Sequence, residues 1–177
     1  MKFSVSGRLG AIYFALCLLF SAGASQAQVQ SQSAGQPPIS KESLFDFPAI
    51  KTLDGKLIPP NYWKGKVVVI ERWASWCPFC NRQNPNVNAL HKSFQAQGLE
   101  VLALSVDKEP QAALDYMSKK GYGFHAAMMS PELRARLGKT KTLPEIWVIG
   151  RDGRFKEYIP GEMFPEDVED LASWLHK

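Results

Sequence analysis

The sequence predicts an α/β fold in which a central mixed sheet carries helices on both faces. Three observations support this. Continuous β-branched apolar runs at residues 67–70 and 101–106 have the composition of strands buried on two sides. A segment with helical spacing follows each run, so the order is strand, helix, strand, helix. Near the carboxyl end, strand-like segments at 145–149 and 154–159 flank the turn dipeptide Asp152-Gly153, so the alternation finishes in an antiparallel hairpin and the sheet is mixed. With 177 residues, 45% apolar and 21% charged, the chain is of single-domain size and has material for one core; disorder and fibrous repeats are excluded.

Residues 1–27 read as a secretory signal: Lys2 and Arg8 precede an apolar run at 9–20, and small residues follow. That run is too short to span a bilayer, for which a helix needs roughly 20 residues. Ala24 and Ala27 are the two candidate cleavage points, and an uncleaved membrane anchor is the alternative. A periplasmic or other extracytoplasmic location is expected. Losing Lys2 and Arg8 takes the 21 basic residues to 19 against 17 acidic ones, which lowers the net charge from +4 to +2. A charge this small argues against nucleic acid as a partner. Residues 28–42, rich in Gln and Ser with Pro37-Pro38, read as a flexible tether, and the folded domain is placed at 43–177.

Within that domain Phe45, Phe47 and Ile50 lead to the turn Asp54-Gly55, with Leu57 and Ile58 beyond it, so a short amino-terminal hairpin is expected. The strand at 67–70 is followed by a helix over 78–97 on the spacing of Val87, Leu90 and Phe94, kinked at Pro85 and stopped at Gly98. A strand at 101–106 and a helix over 110–120, opened by Pro110, come next. Residues 124–129 are strand-like, and Ser130-Pro131-Glu132 starts a short helix that runs to Leu137. After the hairpin, a closing helix over 166–175 is expected to turn Val168, Leu171, Trp174 and Leu175 inward.

Of the three cysteines, Cys17 lies in the leader, which leaves Cys77 and Cys80 in an oxidising compartment. A disulfide closing so short a loop removes little chain entropy, so redox chemistry explains the pair better than stapling. Exchange requires a thiolate on an accessible cysteine. Cys77 falls at a strand-to-helix junction, where free backbone N–H groups and the helix dipole favour the anion, and Pro78 suits the first helical position. Cys80 lies one turn further on the same face and turned inward, so Cys77 is read as nucleophile and Cys80 as the resolving thiol. Zinc is disfavoured because His91, His125 and His176 lack ligand spacing to the pair or to each other; no metal site and no cofactor are assigned. A peroxidase reading lacks its threonine, since Ala74 stands three residues before Cys77.

The run Trp73-Ala74-Ser75-Trp76-Cys77-Pro78-Phe79-Cys80, preceded by Gly65-Lys66-Val67-Val68-Val69-Ile70 and followed by Thr142-Leu143-Pro144, resembles the TlpA/ResA branch of the thioredoxin superfamily. The resemblance runs from about Phe45 to the carboxyl end. It implies a thioredoxin fold with an amino-terminal β-hairpin and a central αβ insertion at 108–129. It also implies a cis peptide bond before Pro144, with the Leu143 backbone offered to an incoming peptide; a plain turn proline is the alternative. Glu71 matches a buried carboxylate that moves a proton to and from the resolving cysteine, the alternative being an exposed acid paired with Arg72 or a lysine. Trp76 matches a tryptophan that flanks the nucleophile, for docking or for packing, and Pro85 a proline that bends the helix.

Two departures from the family pattern stand out. Many members carry a glutamate where this chain has Gln83, which leaves proton management to Glu71. Phe79 between the cysteines adds no charge to steady a thiolate, so a reduction potential nearer thioredoxin's, about −270 mV, than that of the strong oxidant DsbA, about −120 mV, is expected. The function implied is thiol-disulfide exchange by a monomer on exported proteins, in the direction of reduction, with re-reduction by a membrane donor of DsbD or CcdA type. Cytochrome c maturation and copper-site assembly supply the expected clients. A disulfide oxidase or isomerase, and a Cu(I) chaperone without exchange activity, are the competing readings.

Overall fold

The computed structural model describes residues 39–177, so the leader, Cys17 and most of the tether lie outside the described residues. Two short strands, β1 (Ile50–Lys51) and β2 (Leu57–Ile58), pair antiparallel around Asp54-Gly55. Gly55 adopts a positive φ, which is why the turn needs glycine. A five-stranded sheet follows, built from β3 (Val67–Trp73), β4 (Leu99–Ser105), β5 (His125–Met128), β6 (Glu145–Ile149) and β7 (Phe155–Pro160). Its order is β5-β4-β3-β6-β7, with β3, β4 and β5 parallel and β6 and β7 antiparallel. The expected mixed sheet and thioredoxin-like fold are therefore present.

The helices are α1 (Pro78–Phe94), α2 (Pro110–Lys120), α3 (Pro131–Leu137) and α4 (Pro165–Asp170). Odd-numbered β3 residues, Val67, Val69 and Trp73, join Val87 and Leu90 of α1, Ala113 and Met117 of α2 and Val168 of α4 in one buried cluster. The even-numbered Val68 and Ile70 face a second cluster with Phe45, Phe47, Trp63 and the α3 residues Leu133 and Leu137. Strand alternation thus assigns Glu71 to the α1 face and Arg72 to the α3 face. Among the described residues no helix is long and apolar enough to cross a membrane.

Several boundaries differ from expectation by a few residues, β4 starting at Leu99 and α1 ending at Phe94 with a 3₁₀ turn at Gln95–Gln97, and three further differences change the packing. The third strand runs three residues beyond its apolar stretch, because Glu71, Arg72 and Trp73 continue the ladder with β4, Glu71 and Arg72 also with β6, and all three are fully buried. The closing helix ends as α at Asp170 and tightens into a 3₁₀ turn, Leu171–His176. Three residues per turn stack Ala172 and Leu175 inward, while Trp174, expected inside, is half-buried and donates its indole N–H to Glu157. At the other end, Glu42 already bonds to the domain: its N–H donates to the Phe155 carbonyl and its carboxylate receives Lys156.

Arg72 and Glu145 stand opposite each other in the β3–β6 register and form a buried ion pair, 2.7 Å. Arg72 also donates to the Gly138 carbonyl, and the Tyr158 hydroxyl donates to the other Glu145 oxygen at 2.6 Å. A buried ion pair stabilises only where further hydrogen bonds meet its remaining sites, as Gly138 and Tyr158 do here, while Arg72 Nε has no hydrogen-bond partner among the described residues. Tyr158→Phe is expected to lower unfolding stability by about 2 kcal/mol, the worth of a hydrogen bond to a charged group. The denaturation midpoint should fall with the m-value unchanged.

Candidate active site

The cysteines are held where β3 gives way to α1. The Cys77 N–H donates to the Ala74 carbonyl, and Asp107, just beyond β4, receives both the Ser75 N–H (3.0 Å) and the Ser75 hydroxyl (2.7 Å). Ser105 adds a third bond to Asp107, and the Val106 N–H reaches the Trp73 carbonyl, so this loop is stitched to the neighbouring strand end. Neither Ser75 nor Asp107 was singled out from the sequence. They lie 32 residues apart, and only the parallel pairing of β3 and β4 joins them.

Cys77 is the N-cap of α1, with Pro78 in the first turn, and its Sγ accepts the Cys80 N–H at 3.2 Å. An otherwise orphaned helix donor thereby serves the sulfur. Both cysteines are unbridged thiols, and both are buried. The expectation of an exposed Cys77 is corrected: it is 3% accessible, because the capping geometry points the sulfur back over the helix end. Burial, then the hydrogen bond with Cys77, pushes the Cys80 thiol well above its ordinary range. The aromatic neighbours are what lies open: Trp76 is 68% and Phe79 49% exposed.

Glu71 is fully buried beside the pair, and desolvation lifts its carboxyl from 4.5 to about 8. Its charge acts on Cys80, raising that thiol further. Arg72 pairs with Glu145 on the opposite face, so the exposed-acid alternative for Glu71 does not describe this molecule. Gln83 Nε2 donates to Glu71 Oε1 at 3.1 Å, and Gln83 Oε1 accepts the Met163 N–H at 2.7 Å. Asn84 is fully buried too. One end of its amide faces two acceptors, Glu71 Oε1 at 3.1 Å and the Cys80 carbonyl at 2.8 Å, so that end is the nitrogen. Sequence reading noted Gln83 only as a lost acid and missed Asn84; a polar residue beside Pro85 inside a helix was the available signal.

The Leu143–Pro144 peptide bond is cis. Because Glu145 pairs with Arg72, Pro144 falls at the end of the sheet from which the Trp73–Cys77 loop departs, and Leu143 packs against the buried cluster that contains both cysteines. On the other side Arg82 forms a bidentate pair with Glu162, 2.8 and 2.6 Å, and lies over the Phe79 ring. His91 and His125 gather instead near Tyr62 and Glu100, where the Tyr62 hydroxyl meets His125 at 3.1 Å. Among the described residues no group of three His, Cys, Asp or Glu side chains is arranged to hold a metal ion.

The Redoxin family model matches residues 41–175. The chain belongs to the Redoxin family. Among its relatives, the thiol-disulfide oxidoreductase ResA of Bacillus thuringiensis (strain Al Hakam) is 29% identical over 120 residues, covering 68% of this chain and 69% of that protein. ResA of Bacillus subtilis (strain 168) is 26% identical over 142 residues, covering 80% and 79%. Among solved structures, a thioredoxin-family thiol:disulfide interchange protein from Chlorobium tepidum TLS superposes with a TM-score of 0.71 at 23% identity, covering 78% of this chain and 99% of that one. This Redoxin-family chain is thus ResA-like, as its motifs implied, and its enzyme class is that of a thioredoxin-like thiol-disulfide oxidoreductase.

Proposed function

We propose that the protein reduces disulfides in exported proteins through the Cys77/Cys80 dithiol. The observation that carries this reading is the asymmetry of the pair: Cys77 Sγ receives a helix-end N–H, whereas burial holds Cys80 protonated beside a carboxyl that titrates near about 8. Cys77 attacks the client disulfide, and Cys80 then displaces the client and closes the Cys77–Cys80 bridge. Trp76, Pro78 and the Leu143–Pro144 segment form the face against which an extended client segment lies, the exposed Trp76 ring giving it apolar area.

Support for the reducing direction comes from the residues between the cysteines: neither the Pro78 nor the Phe79 side chain carries a charge or a hydrogen-bond donor that would favour the reduced form, as a strong oxidant requires. The protein acts outside the cytoplasm as a monomer, on clients of the cytochrome c or copper-site assembly kind, and is re-reduced by a membrane donor of DsbD or CcdA type. Equilibration with dithiothreitol of known potential tests the direction. A midpoint near about −270 mV is expected, and one near about −120 mV would make the protein an oxidase. Purification under reducing conditions should yield protein without copper, whereas one Cu(I) per chain would favour the chaperone reading.

A further inference from the structure

Glu71 has two oxygens, and the protein treats them differently. Oε1 receives two amide donors, Gln83 Nε2 at 3.1 Å and Asn84 Nδ2 at 3.1 Å. A carboxyl oxygen has two lone-pair sites, so both sites of Oε1 are filled by N–H groups, and an acid proton placed there would collide with a donor. Neither amide can turn to accept instead. Gln83 Oε1 is held by the Met163 N–H at 2.7 Å, and Asn84 spends its second hydrogen on the Cys80 carbonyl at 2.8 Å. Both amides are buried, so water does not compete with these bonds.

We propose that Gln83 and Asn84 are positioning residues for proton transfer at the cysteine pair: they fix Oε1 as an acceptor and leave Oε2 as the atom that takes and returns the proton of Cys80. Asn84 bridges the acid and the Cys80 backbone through one planar amide, which sets the carboxyl's place relative to the resolving residue. In the resolving step the Cys80 S–H proton passes to Glu71 Oε2, and the sulfur's electron pair forms the bond to Cys77 Sγ. The bond between Cys77 and the client breaks, and its electron pair leaves on the client sulfur as thiolate. The oxidised enzyme then holds a Cys77–Cys80 bridge and a protonated Glu71; re-reduction runs the same transfer backwards. Two donors to Oε1 also favour the ionised acid against burial, as the lowering effect of Gln83 on Glu71 illustrates.

This inference rests on Glu71 being the base for Cys80, and its test separates the two ideas. Gln83→Met and Asn84→Leu keep shape and remove a donor; Gln83→Glu keeps the Met163 contact. The decay of a preformed mixed disulfide is followed by stopped flow across pH 6 to 9, and the Glu71 carboxyl is titrated by infrared difference spectroscopy against Glu71→Gln. Each donor-removing variant should move the Glu71 titration and the decay midpoint upward together by about one pH unit, slowing decay about tenfold at pH 7 while sparing the first attack. Gln83→Glu, which sets a second acid against Oε1, should move both midpoints upward as well, and it covers the case in which the apolar variants do not fold. Unmoved midpoints in these variants, with decay in Glu71→Gln still slowed, would overturn the positioning role alone. Unslowed decay in Glu71→Gln itself would remove Glu71 as the base.

Discussion

Cys77→Ser is expected to reduce exchange to the uncatalysed rate, because a serine hydroxyl at the α1 N-cap keeps the hydrogen bond from Cys80 N–H but is no nucleophile toward sulfur. Cys80→Ser should behave differently. It still attacks, and it accumulates mixed disulfides with its clients, since the thiol that completes the reaction is gone. Both outcomes read directly on a non-reducing gel after acid quench. In the reduced parent, alkylation should mark Cys77 first, because the Cys80 thiol is held protonated by burial. Faster modification of Cys80 would reverse the roles.

Glu71→Gln should slow mixed-disulfide decay on the order of a hundredfold or more, the usual worth of a positioned general base, with little change in the first attack. The parent's decay rate should rise about tenfold per pH unit and level off above about 8, where the acid is ionised. Stability runs the other way. The folded carboxyl titrates at about 8 and the unfolded one near 4.5, so the folded state holds the extra proton between those values. Stability is full below about 4.5, falls as pH rises through that window and reaches its floor above about 8. At about 1.4 kcal/mol per unit, the loss is a few kcal/mol. Glu71→Gln removes this slope, so the variant should be slower yet more stable than the parent at pH 9, which a surface acid could not produce.

Much of this was legible in the sequence because it rests on local signals. Val67 to Ile70 and the residues from Val101 onward announce buried strands by composition, and Cys77-Pro78 announces a helix start. The burial of Glu71 came from the resemblance, since one strand residue cannot say which face is covered. What stayed hidden depends on register between distant segments. Ser75 finds Asp107, and Arg72 finds Glu145, only once β3 lies between β4 and β6. Asn84 is polar in a helix whose apolar spacing was the visible signal, and nothing nearby in sequence reveals that Glu71 lies beneath it.

The adjacency of Glu71 and Arg72 makes the ion pair on the reverse side of the sheet a pin for the chemistry on the front. A one-residue slip of β3 against β6 would turn the guanidinium toward the cysteines and the acid toward Trp147 and Tyr158, since successive strand residues face opposite ways. The partner that forbids the slip is Glu145, the residue that follows the cis Pro144. One contact therefore indexes two segments at once, Glu71 as the proposed proton acceptor and the Leu143–Pro144 loop proposed to face the client. In directed evolution of this scaffold, relocating the acid along β3 would succeed only in steps of two, and only in lineages that keep Arg72 and Glu145 together.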